Sequence, residues 1–238
     1  DVTPVNDAPA GTDATITIAE DGSYTFAAGD FGFTDPNDLP ANSLAAVEIT
    51  TVPGAGTLQL NGTDVSAGDV IAVADLPNLV YQPAADDNGN GYASFTFKVQ
   101  DDGGTANGGI DLDPIANTVS IDITPVNDAP TTSTVTLSAI IEDSGVLTIT
   151  EAELLINAND VEGDNLSVTG LTITAGNGTL VDNGDKTWSY TPAADDDTAV
   201  SFTYTITDDG TTNGAADPLS VAGDATLDIT PVNDAPAG

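Results

Sequence analysis

Four residue types are missing from this 238-residue chain: cysteine, methionine, histidine and arginine. Without cysteine there is no disulfide, no zinc–thiolate centre and no thiol nucleophile. Without histidine or arginine, most acid–base, nucleophilic and phosphate-handling chemistry is closed. The absence of methionine implies that residue 1 is not a native start and that the chain is part of something longer. No segment reads as a signal peptide, and no apolar run is long enough to span a bilayer. The only cations are Lys98 and Lys186, against 38 acids, for a net charge of −36. Such a chain repels nucleic acid and anionic membrane surfaces, which both require cationic contacts.

What is present is aspartate. Six of the acids are glutamate (Glu20, Glu48, Glu142, Glu151, Glu153, Glu162) and the rest are aspartate. Aspartate suits turns, and its short carboxylate is a good ligand for hard cations. Self-repulsion on this scale works against a compact state unless cations neutralise it. Hydrophobic residues make up 39% of the chain, enough for packed cores, so the composition is not that of a disordered acidic tail.

The chain repeats itself. The string Thr-Pro-Val-Asn-Asp-Ala-Pro begins at residues 3, 124 and 230. Between these copies, further landmarks recur in one order. Ala19-Glu20-Asp21-Gly22 matches Ile141-Glu142-Asp143-Ser144-Gly145. Asp35-Pro36-Asn37-Asp38 matches Asp160-Val161-Glu162-Gly163-Asp164. Tyr81-Gln82-Pro83-Ala84-Ala85-Asp86-Asp87 matches residues 190–196, and Ser94 to Gly103 matches Ser201 to Gly210. The expected organisation is two modules, 1–125 and 126–238, with an extra segment at 64–77 in the first whose Val70-Ile71-Ala72-Val73 centre predicts an added strand or hairpin.

The dominant period is two. Phe95, Phe97 and Val99 alternate with polar residues, as do Phe202, Tyr204 and Ile206, and Val119, Ile121 and Ile123. That pattern predicts strands with one buried face. Asn61-Gly62, Asn177-Gly178 and Asn183-Gly184 predict tight turns at positive φ. The only helical signal covers residues 151–156, and Trp188, alternating with Tyr190, reads as core. The expected fold class is all-β: two tandem immunoglobulin-like β-sandwich modules joined end to end by a short, proline-bracketed linker.

The linker Val-Asn-Asp-Ala-Pro resembles the Asp-x-Asn-Asp-Asn-x-Pro calcium linker of cadherins. It is more similar still to the cadherin-like tandem repeats of giant bacterial adhesins, the type I-secreted RTX adhesins. The resemblance covers the whole chain and implies structural Ca2+ ions at the joints, six to eight oxygens each. At the central joint it implies Glu20, Asp86 and Asp87 from the first module, with Asp86/Asp87 standing where cadherins have Asp-Arg-Glu. From the linker it implies Asn127 and Asp128, and from the second module Asp160, Glu162, the carbonyl of Asn165, and Asp208. Half-sites follow at the ends: Asn6, Asp7, Asp35, Asn37 and Asp101 above, and Glu142, Asp195, Asp197 and Asp234 below. Asn37 stands where a second carboxylate is expected, with Asp38 as its substitute.

The function implied is a calcium-rigidified extender of a bacterial cell-surface adhesin. It would be extracellular and monomeric, with neighbouring repeats of the same chain as partners, no nucleic acid and no membrane insertion. The alternative is a ligand-binding module that contacts a glycan or protein through a sandwich face or the 64–77 insertion. Asp86/Asp87 as a glycosidase pair would need aromatic sugar platforms that a single tryptophan does not supply, so the chain is not expected to be an enzyme. Any one aspartate also fits a plain role as a solvated turn former.

Overall fold

The computed structural model describes residues 5–233. It divides into two compact units, 1–126 and 127–238, and the division falls after Val126 because that residue's N–H donates to Glu20 Oε1 of the first unit at 2.5 Å.

Among its described residues unit one contains nine strands: β1 (Ala14–Ala19), β2 (Tyr24–Thr25), β3 (Leu44–Thr51), β4 (Thr57–Leu60), β5 (Thr63–Asp64), β6 (Val70–Ala72), β7 (Leu79–Gln82), β8 (Gly89–Asp101) and β9 (Asn117–Thr124). They form two sheets, ordered β1-β9-β8-β3-β6 and β2-β7-β4-β5, with β1 parallel to β9. The inward residues of both sheets meet in one core that includes Val47, Ile49, Leu58, Leu79, Tyr81, Phe95, Phe97, Val119 and Ile121. This is a β-sandwich, and the period-two alternation is what builds it. Edge-to-face aromatic pairs, such as Phe26 on Phe95 at 5.4 Å and Phe31 on Phe97 at 4.9 Å, fill its centre.

Unit two repeats the plan in shorter form. Its elements are β10 (Val135–Thr136), β11 (Ile140–Ile141), β12 (Leu147–Thr150), the helix α1 (Glu151–Leu154), β13 (Ser167–Ala175), β14 (Thr179–Asp182), β15 (Thr187–Thr191), β16 (Val200–Thr207), β17 (Thr211–Thr212), β18 (Ala215–Ala216), β19 (Ser220–Leu227) and β20 (Ile229–Thr230). The main sheets are β10-β19-β16-β13 and β12-β15-β14. Trp188, Tyr190, Phe202, Tyr204 and Ile206 are all buried in its core. The helical signal becomes a single turn, α1, held by a capping box between Thr150 and Glu153.

The 64–77 segment forms strands and a 3₁₀ stretch. β5 extends one sheet beside β4, β6 extends the other beside β3, and Val73–Asn78 closes the turn. Its apolar residues Val65, Ile71 and Leu76 point into the core. All three Asn-Gly pairs supply positive φ, but not from the same residues. Asn61 and Gly62 both take positive φ (52° and 76°), as a two-residue hairpin turn requires. At Asn177-Gly178 and Asn183-Gly184 only the glycine does. The Asn177 carbonyl instead accepts from Tyr190 Oη at 2.5 Å, and its side-chain Nδ2 donates to Asp196.

Candidate metal centre

Each unit brings a group of acids to the end where its linker enters. In unit two, Asn127 is buried and its Nδ2 donates to Asp208 Oδ1 at 3.0 Å and to the carbonyl of Asp217 at 2.9 Å. Asp208 is 4% exposed, and its Oδ1 also accepts from the amides of Gly210 and Leu219, both at 3.0 Å. Asp160 Oδ1 accepts from the Asp164 amide at 3.1 Å, and the Asp128 amide donates to Glu162. Carboxylate oxygens of Asp160, Glu162 and Asp164 lie within 4.8 Å of one another.

Three buried oxygens in this group have no hydrogen-bond partner: Asn127 Oδ1, Asp160 Oδ2 and Asp208 Oδ2. An unpaired buried acceptor costs on the order of 1–3 kcal/mol, more when charged. Unpartnered buried acceptors of this kind are what a hard cation satisfies. Electrostatics agree. Burial pushes the Glu162 carboxyl up, helped by Asp128 and Asp160. Lost hydration, then Asp160, Asp209 and Asp208, push Asp164 up. Asp208 goes the other way: burial alone would raise it, but the amides of Leu219 and Gly210 and the Asn127 amide outweigh that and hold it ionised.

Unit one has the same construction. Asn6 Nδ2 donates to both oxygens of Asp101 and to the carbonyl of Ile110. Asp35 is buried, with Oδ2 accepting from the Asn42 amide at 2.7 Å and Oδ1 unpartnered. Asp38 Oδ2 accepts from the Asp7 amide at 3.0 Å, so Asp38 holds the place that Glu162 holds in unit two. Asn37 is exposed and is not brought into the group. The longer loop in unit one shifts the acid one residue along. Burial raises Asp101, with repulsion from Asp35 and Asp111 adding to it.

The opposite ends are built differently. Glu20 is buried, but both its oxygens are taken, Oε1 by the Val126 amide and Oε2 by Asn88 Nδ2 at 3.0 Å. Glu142 repeats the first of these bonds with the Val232 amide at 2.6 Å. Their visible work is to anchor the outgoing linker. Asp86 offers an oxygen within 4.8 Å of one from Asp21, while Asp87 accepts from Tyr92 Oη at 2.9 Å. Asp86 and its counterpart Asp195 both adopt left-handed φ (59° and 54°) and both are exposed, as is Asp197. Asp234 lies outside the described residues.

Asn165, whose carbonyl is the expected ligand, also uses its side chain. Its Nδ2 and its amide both bond the Asp209 carboxylate, at 2.9 and 2.8 Å, which holds Asp209 low and braces the loop. Sequence reasoning missed three residues. Asp164 and Asn42 contribute to the groups just described. Asp113, 3% exposed, accepts from the amides of Gly11 and Ile115 and from Asn117, and ties the entry segment of unit one to the loop before β9.

Residues 126–222 match the family model of a cadherin-like domain. The matched stretch holds Asn127, Asp128, Asp160, Glu162, Asp164 and Asp208, so the acid group lies within it. No curated protein matches the chain. Among solved structures, the chain is similar to the first two cadherin domains (EC1-2) of human mucin-like protocadherin, at 14% identity over 94% of this chain and 98% of that one, TM-score 0.43. It is also similar to human CDH23 EC21-23, at 14% identity over 94% and 70%, TM-score 0.47. A third similarity is to endo-fucoidan hydrolase MfFcnA4 from glycoside hydrolase family 107, at 20% identity and TM-score 0.30; this chain covers 30% of that enzyme's length.

Proposed function

We propose that the chain is a calcium-rigidified extender: two tandem modules of a large bacterial cell-surface adhesin of the type I-secreted RTX kind, holding distal binding domains away from the cell. The observation that carries this reading is the set of unpartnered buried oxygens on Asn127, Asp160 and Asp208, gathered where the linker enters the cadherin-like unit. Those residues, with Asp128 and Glu162, would hold the ion. Calcium would supply charge neutralisation and a fixed geometry for the loops, and no catalysis. The linker itself argues for a stiff joint. Val126 is bonded to Glu20 within unit one and Asn127 to Asp208 within unit two, and Pro125 and Pro130 bracket the step between them, where proline restricts the backbone. The acid groups repeat at the entry of unit one, which fits a module that continues into neighbours of its own kind.

The reading places the protein outside the cell, as a monomer whose partners are adjacent repeats, with neither nucleic acid nor membrane as a ligand and without enzymatic activity. Among the described residues no helix is long and apolar enough to cross a membrane. The competing reading is ligand binding through a sandwich face or the 64–77 insertion; in that insertion Val65, Ile71 and Leu76 face inward and complete the core, while Val70 and Val73 are exposed.

Calcium modules of this class bind at dissociation constants of ~10⁻⁴–10⁻³ M. One site filled at a hundredfold excess over that constant adds about 2.7 kcal/mol, a sizeable part of a domain's ~5–15 kcal/mol. The test is thermal unfolding in millimolar calcium, in matched magnesium and in excess chelator. The expected result is a midpoint about 10 °C or more higher in calcium, given at least roughly 4 °C per kcal/mol for domains of about 100 residues. Equal midpoints in calcium and chelator would remove the reading. Small-angle scattering of the same samples should change between calcium and chelator if the joint stiffens.

A further inference from the structure

In each unit the strands next to the incoming and outgoing linkers pair with one another in parallel. β1 lies beside β9 in unit one; in unit two β10 lies beside β19 and β11 beside β20. A pull along the chain therefore draws the start of the entry strand and the end of its parallel neighbour in opposite directions. The load runs along the strands, and the cross-strand hydrogen bonds of the ladder share it.

The two ladders differ by one residue. In unit one, β1 pairs with β9 without a break over its 6 residues, from Ala14 with Val119 to Ala19 with Thr124. Ala14 to Ile18 spans the same number of positions as Val119 to Ile123. The exit side of unit two keeps that spacing, from Ala225 to Ile229, but the entry side runs from Val135 to Ile140, one residue longer. The ladder splits there into two pieces, β10 and β11, of 2 residues each. The Leu137 and Ile140 amides still donate to the Thr226 and Asp228 carbonyls, at 2.8 and 3.1 Å, but Ser138 and Ala139 between them pair with nothing on the exit strands. An extra residue in one strand of a pair is left unpaired and disrupts the ladder locally.

The cause is written in the apolar pattern. Unit one places Ile16, Ile18 and Glu20 inward at a strict period of two, whereas unit two places Val135, Leu137, Ile140 and Glu142 inward, with one position skipped. The skip keeps Ile140 against the core, as Ile18 is, and leaves Ser138 and Ala139 exposed. Unit one is also tied ahead of its ladder. The Gly11 amide donates to Asp113 Oδ2 at 2.8 Å and the Thr118 amide to Asp13 Oδ1 at 2.7 Å, which fastens the entry segment to the exit side before β1 begins.

We propose that unit two is the force-yielding module of the pair: under tension along the chain it opens before unit one, because the residue added at 138–139 divides its entry-to-exit ladder. The inference goes beyond the extender reading and rests on it only in supposing that the chain carries tension. The two units stand in series along one chain and feel the same force, so the pair gives in two steps.

The experiment is single-molecule stretching of the full chain, held by its two ends, in calcium and in chelator. Forced unfolding reports the unfolding barrier rather than the equilibrium stability. Each trace is expected to show two events. Unit one comprises residues 1–126 and unit two residues 127–238, so the longer release marks unit one, and the shorter release should come first and at the lower force. Deletion of Ala139 should raise the force of the shorter release towards that of the longer one. An alanine inserted between Ile16 and Thr17 should lower the force of the longer release. A shorter release at equal or higher force in the wild type, a single joint event, or forces unmoved in both variants would overturn the proposal. Should the deletion fail to fold, the insertion decides alone, a lowered force supporting the assignment and an unchanged one refuting it. The calcium reading fails separately: equal melting midpoints in calcium and chelator would remove it, while the order of release would still stand or fall on the traces.

Discussion

At the scale of single residues, the linker asparagines do more than their short side chains promise. Asn6 and Asn127 each lock the incoming chain onto an Asp-Asp-Gly turn, and the turn's glycine leaves room for the amide oxygen. Gly210→Ala should therefore both destabilise unit two and weaken its cation site, because the new methyl displaces Asn127 Oδ1 and Asp164. A loss of about 1–3 kcal/mol is expected from the overpacking, read as a lower melting midpoint, with a larger gap in calcium than in chelator.

Glu151 carries a second residue-level prediction. It accepts from the Val168 amide at 3.0 Å and from Lys186 Nζ at 2.8 Å. Burial works to raise its carboxyl, but Lys186 and the Val168 amide prevail and hold it below its usual value. A depressed folded value means stability that is present above the unfolded pKa and lost as pH falls through the folded one. Glu151→Gln should cost about 1 kcal/mol at neutral pH, and the deficit should vanish in acid, as urea melts at a series of pH values would reveal.

The acids that sequence matching aligned were legible because they repeat at fixed places around the linker string. Asp164 and Asn42 were not. Seven positions separate Asp35 from Asn42 and four separate Asp160 from Asp164, so a linear alignment pairs the wrong residues. Their equivalence lies in what their amides bond.

At the scale of elements, the two units solve one problem differently. A sandwich strand at a sheet edge leaves backbone groups unpaired, which invites pairing with another chain. Unit one covers β3 with β6, which lies in the insertion, and β4 with β5, which leads into it. Unit two has no such segment, and Glu151 of α1 instead caps the Val168 amide at the start of β13. Ile71 is 1% exposed on β6, so Ile71→Ala should cost roughly 2–5 kcal/mol, visible as an early unfolding step confined to unit one if the units melt independently. The apolar run Val70-Ile71-Ala72-Val73 announced a strand or hairpin here. It could not announce which of the two sheets the strand would join, because an isolated apolar run carries no register.

At the scale of the whole molecule, charge governs. A net charge of −36 means that the metal-free protein works against its own field. Sodium chloride screens exposed pairs beyond a Debye length of about 8–10 Å near physiological salt, but it cannot supply ligands to the buried oxygens of Asp160 and Asp208. In chelator, added salt should therefore recover only part of the melting temperature that calcium confers; full recovery by salt would show that screening alone suffices.

The sequence by itself determined the β-sandwich class, the two-module organisation and the gathering of acids around a repeated linker. These follow from period-two hydrophobicity and from a literal repeat, both properties of neighbours along the chain. Only the tertiary structure decided which oxygens are left without a donor. It spends Glu20 on the Val126 amide, sets Asn37 aside in favour of Asp38, and turns Asp164 toward Asn127 while Asn42 satisfies Asn6. Hydrogen-bond satisfaction is a three-dimensional sum over loops of unequal length, and no spacing along the chain encodes it.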